Sequence, residues 1–126
     1  MQELFEKPRE LVVGDITYRL VFTHRAMAHA EKMTGHSLLT WQLNRWTEFT
    51  MTTSDLAGML YACLIKYHSQ KDKDGKPVQP FASIDLAYDI LDQVGAEIVF
   101  VAVIEAWQAA QPKPKIDPND QTAPTT

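Results

Sequence analysis

The sequence contains a single cysteine, Cys63. Neither an intramolecular disulfide framework nor a multi-cysteine zinc site can be built from it, and a reducing compartment fits that usage. Glycine is scarce too. Gly14, Gly35, Gly58, Gly75 and Gly95 stand apart from one another, so the chain has no glycine-rich loop of the kind that cradles phosphate. Positive charge is in deficit: twelve lysines and arginines oppose sixteen acids, a net charge of −4. A protein that binds a phosphate backbone normally carries a basic stripe, whereas here the densest basic group, Lys71, Lys73 and Lys76, is interleaved with Asp72 and Asp74. Nucleic acid is not expected as a partner. The longest apolar run, Ile98 to Ile104, is far short of the roughly 20 residues a spanning helix needs. The opening "MQELFEKPRE" is charged where a signal peptide has its apolar stretch. A cytoplasmic protein without a membrane segment is the expectation.

What is present suits one folded domain. With 45% hydrophobic and 22% charged residues among 126, the balance is that of an ordinary globular protein able to bury a core. In "RELVVGDITYRLVF", Ile16, Tyr18, Leu20 and Phe22 alternate with Thr17, Arg19 and Val21, the period of a half-buried strand. Gly14-Asp15 is a suitable two-residue loop. The reading is a β-hairpin over residues 9–13 and 16–22. Two strands are marginal alone, so its apolar face must pack on the helical remainder of the chain.

Helical signals fill that remainder. Thr23 is placed to cap a helix ending near Met33, with Ala26, Ala30 and Met33 inward and Gly35 as a left-handed stop. Ser37 can cap a second helix in which Leu39, Leu43 and Trp46 recur. In "TSDLAGMLYACLIKYH", Ser54 is the expected cap, and Leu56, Met59, Leu60, Cys63, Leu64 and Tyr67 form one face. Gly58 within that helix costs about 1 kcal/mol relative to alanine; it reflects either simple tolerance or the close approach of another backbone. The polar stretch 69–80 is an exposed loop. Ser83 begins a helix with Ile84, Ala87, Leu91 and Val94 on one face, ended by Gly95. "AEIVFVAVIEAWQAA" has β-branched residues that favour a strand, but its length and alanines favour a buried helix. From Gln111 four prolines and few apolar residues predict a disordered tail. The expected fold is α+β and mostly α: residues 1–110 form one domain, a hairpin packed on about five helices, and 111–126 form the tail.

Candidate chemistry is thin. His24, His29 and His36 crowd into "THRAMAHAEKMTGH", but His24 and His29 are separated by about 140° around a helix of 3.6 residues per turn. That spacing differs from the i, i+4 pair of a zinc helix. His36 comes after the Gly35 break, and His68 ends another helix. Asp85, Asp89 and Asp92 read most simply as a solvated helix face, and Cys63 as a small core residue. No catalytic, cofactor-binding or metal-binding residues are expected. Methionines at 27, 33, 51 and 59 usually fill cores, although they also suit adaptable binding surfaces. Trp41, Trp46, Met51 and Met59 are the candidate partner-binding residues.

The order of elements carries one resemblance. A hairpin leads into "YRLVFTHRAMAHAEKMTGHSLL"; "MTTSDLAGMLYACL" then opens a central amphipathic helix, and "SIDLAYDILDQVG" precedes a terminal helix. Over about Asp15 to Gln108 this pattern resembles the tail assembly chaperones of long-tailed bacteriophages and gene transfer agents. The resemblance implies a non-catalytic protein that binds the tape measure protein in the host cytoplasm and is absent from the mature virion. It also implies a longer, frameshifted product that recruits the tail tube protein, this chain being the shorter product. Homo-oligomers are compatible with it. Two alternatives remain from the residues alone: a small regulatory or adaptor module of a mobile element, and a small histidine metal protein.

Overall fold

Alternation about Gly14-Asp15 produces the first element, an antiparallel hairpin of β1 (Arg9–Val13) and β2 (Ile16–Leu20). The register pairs Leu11 with Tyr18 and Val13 with Ile16. Gly14 adopts φ +65° at the turn, a conformation that costs glycine no Cβ clash. Leu11, Val13, Tyr18 and Leu20 are buried, and Phe22 is buried just beyond the strand. Ile16, expected inward, is 41% exposed, although its cross-strand partner Val13 is buried. The computed structural model describes residues 8–37 and 51–110.

Helix α1 spans His24–Thr34, capped by Thr23, whose hydroxyl accepts from the Ala26 N–H at 3.0 Å. Gly35 ends it in the left-handed region, its N–H donating to the Glu31 carbonyl at 2.8 Å. Ala26 and Ala30 are buried as expected; Met33 is exposed.

Helix α2, Thr53–Leu64, is the centre of the fold and touches α1, β2 and both later helices. Its cap is Thr52 rather than Ser54. The Thr52 hydroxyl accepts from the Asp55 N–H at 3.0 Å, and the Asp55 carboxylate accepts from the Thr52 N–H at 3.2 Å. This reciprocal box needs an acid or amide three residues after the cap; Thr52 has Asp55 there, whereas Ser54 would have Ala57. The buried surface also extends beyond one face. Leu56, Ala57, Gly58, Met59, Leu60, Ala62, Cys63 and Leu64 are all buried, because neighbours enclose the helix on several sides. Tyr67 lies past its end.

Two helices complete the domain: α3 (Ile84–Val94), capped by Ser83, and α4 (Ala96–Ala110). In α3 Ala87, Ile90 and Leu91 are buried, with Ile84 and Val94 packed against the core. Helix α4 resolves the strand-or-helix ambiguity and packs Val99, Val103 and Trp107 inward. Trp107 meets Phe22 edge-on at 5.5 Å and 90°, a favourable aromatic geometry that joins the hairpin exit to the last helix. Arg9 of β1 also pairs with Glu105 of α4. The described residues thus form an α+β fold of one two-stranded hairpin and four helices, against the five helices expected. The expected helix with Leu39, Leu43 and Trp46, and the expected tail over 111–126, lie outside the described residues.

Candidate functional site

Two of the four candidate partner-binding residues, Met51 and Met59, are among the described residues. Met59 is 0% exposed, so it is a core residue and cannot contact a partner; it lies on the side of α2 that the other elements enclose. Met51 is half-buried and packs against the core cluster. Trp41 and Trp46 lie outside the described residues. Cys63 is fully buried, and burial pushes its thiol well above the ordinary range. That disfavours the thiolate on which cysteine reactivity depends.

The histidines are dispersed. His24 is exposed at the first turn of α1, and His29 faces the Tyr61 ring at 6.3 Å. His36 places Nε2 3.5 Å from the Asp55 carboxylate, linking the end of α1 to the cap of α2. Among the described residues no group of three or more histidine, cysteine or acidic side chains is arranged to hold a metal ion. Asp85, Asp89 and Asp92 are exposed on α3.

His68 has a structural position that its sequence did not reveal. Its Nε2 accepts the Arg19 backbone N–H at 3.0 Å, and the ring donates to the Pro80 carbonyl. The ring also tilts against Tyr18 at 5.5 Å. Burial lowers its pKa, and the nearby Arg19 guanidinium adds to that, against the Pro80 bond. The Val21 N–H donates to the Cys63 carbonyl at 3.1 Å. Arg19 belongs to a non-hydrogen-bonded pair of the hairpin, so its N–H faces away from β1. The imidazole therefore occupies the outer edge of β2, a side-chain acceptor where a neighbouring strand would supply a carbonyl.

An exposed apolar surface that the sequence reading did not single out lies on α4. Ile98 is 52% exposed and Val101 44%. Glu97, Ile98, Val101 and Glu105, all exposed, fall within an arc of about 100° at 3.6 residues per turn. The outer face of α4 is thus apolar in its middle and acidic at each end. The available signal was the breadth of the run itself. Val99 and Val103 point inward, so Ile98 and Val101, set round the helix from them, must point elsewhere. Such a surface can hold another apolar helix; it holds no arrangement for bond-making chemistry.

No helix among the described residues is long and apolar enough to cross a membrane. Comparison of the chain with family models, with curated proteins and with solved structures found no match.

Proposed function

We propose that the chain is a tail assembly chaperone of a long-tailed phage or related element, which binds the tape measure protein and assists tail tube assembly without catalysis. It acts in the host cytoplasm and leaves before the virion matures. The observation that supports this reading is the order of elements. A hairpin, a short glycine-stopped helix, a central helix with a Thr/Ser-Asp-Leu start and two terminal helices succeed one another as in the pattern on which the resemblance rests. The uncovered apolar middle of α4 is consistent with a binding role.

A tape measure protein is long and helical, and its apolar stripes are exposed until the tube surrounds it. A reversible cover for those stripes is what a chaperone of this kind supplies. A longer product, extended past the tail by frameshifting, would carry the contact to the tail tube protein. The test is co-expression with the long, coiled-coil-rich reading frame beside the gene. The expected result is conversion of that product from insoluble to soluble and recovery of a complex with several copies of this chain. A neighbouring product that is soluble alone and never co-purifies would overturn the reading.

A further inference from the structure

We infer that the outer face of α4 docks a cationic amphipathic helix of a partner protein. Two observations converge. The first is the uncovered pair Ile98 and Val101, on a helix whose opposite side is already committed to the core. A helix apolar on nearly all sides is normally enclosed, and here, among the described residues, the enclosure stops at these two. An i, i+3 apolar pair on a helix is the form of surface that a second helix packs against.

The second observation is the charge of the unit that carries the pair. From Ser83 to Ala110 the sequence holds Asp85, Asp89, Asp92, Glu97 and Glu105, and neither lysine nor arginine. Glu97 and Glu105 bracket Val101 on its own face, at i−4 and i+4. Arg9 already pairs with Glu105; Glu97 stands at the other end, next to Ile98. Apart from Arg9, the positive charge of the described residues lies on other elements, at Arg19, Arg25, Lys32, Lys66 and the 71–76 loop.

This asymmetry selects the occupant. Two copies joined through α4 would bring two such acidic units together, Arg9 offsetting one of the five acids in each, and like charges across an interface disfavour pairing. A helix with lysines or arginines flanking an apolar stripe satisfies both the middle of the face and its Glu97 end, Glu105 being already paired with Arg9. Such a contact tolerates many sequences, because it asks for a pattern rather than for fixed hydrogen bonds. The inference deepens the chaperone proposal by giving the chemistry of the client segment, and rests on it in taking that segment to be helical.

The test uses the full chain and two synthetic helical peptides with one apolar stripe, flanked by lysines in one and by glutamates in the other. Binding is tracked by fluorescence anisotropy over a range of salt. The lysine peptide is expected to bind and to weaken as salt rises; the glutamate peptide is expected not to bind. Ile98→Lys and Val101→Glu should each weaken the lysine peptide by about tenfold or more, the size expected for losing one buried branched side chain. Both positions are exposed, and circular dichroism and melting should remain those of the parent. Equal binding of both peptides, binding unaffected by the two substitutions, or a dimer of the chain abolished by them would overturn the inference. A long client that co-purifies undiminished with Val101→Glu sinks this surface and leaves the chaperone reading standing. Lysine-peptide binding without recovery of any client does the reverse.

Discussion

A β-carbon added to Gly58 would stand 3.0 Å from the Met33 β-carbon and 3.4 Å from Thr34 Cγ2. The glycine in the middle of α2 therefore marks where α1 crosses it. Of the two meanings open for this residue in the sequence, close approach is the one realised. Gly58→Ala should gain about 1 kcal/mol of helix propensity and lose about 1–3 kcal/mol to overpacking. The expected outcome in urea unfolding is a net loss of about 1 kcal/mol. Met33→Ala should not restore it, because the collision involves Cβ rather than the flexible end; full restoration would show that the helices can simply move apart.

The Thr52–Asp55 box predicts a second loss. Thr52→Ala should cost about 1 kcal/mol, the usual value for an N-cap. Ser54→Ala, at the position where the sequence pattern places the cap, should change stability by less than about 0.5 kcal/mol, as for a surface position. Thermal unfolding of the two variants decides between the caps.

His68 gives the molecule an acid-sensitive point. Its folded-state pKa lies below the ordinary 6.5 because of burial and then Arg19, so the unfolded chain takes up the proton first. The stabilising contribution is complete above pH 6.5 and falls as pH drops below it, levelling once the folded imidazole charges. Protonation turns Nε2 from acceptor to donor and opposes the Arg19 N–H. Beside the ring stand Arg19 and Tyr18 from β2; Arg19 also lies over the Tyr67 ring, and Asp89 of α3 acts on Tyr18. Urea midpoints measured from pH 8 to 5 for the parent and for His68→Gln should converge as pH falls. A constant difference between the two would mean that the imidazole does not titrate in this way.

The Cys63 thiol is fully enclosed and held protonated by burial. A small disulfide reagent should leave the native chain unmodified over hours and label it promptly in urea. The labelling rate in intermediate urea should track global unfolding. Fast labelling under native conditions would indicate local opening at the end of α2.

Caps, turns and helix stripes were legible in the sequence because they depend on neighbours a few residues away. Thr23, Gly35, Ser83 and Gly95 act where local chemistry places them. One local signal was misplaced, the α2 cap at Ser54 instead of Thr52; the other errors lay where tertiary contacts decide. Met59 occupies the same amphipathic pattern as a surface methionine would, and only the crowding of α2 by four other elements turns it into core. Met33 fits the inward stripe of α1 and its β-carbon does approach Gly58, yet the residue as a whole is 42% exposed. Ile98 and Val101 read as part of a buried helix, since nothing in the string of letters says which side of α4 stays exposed.

The ring at the β2 edge has a consequence for how copies of the chain can meet. A third strand adding beside β2 would need the Arg19 and Val21 donors, and both are taken, one by an imidazole and the other by the Cys63 carbonyl. Sheets extend by template, each strand offering its unmet N–H and carbonyl groups to the next. Here two donors of that template are taken by groups that belong to the end of α2 and to the residues just after it. Fibre growth or strand exchange from this side would first have to pull that junction away, along with the packing of Cys63 and Leu64. Strand addition at the Arg19–Val21 end of β2 is thus obstructed by the body of the domain itself.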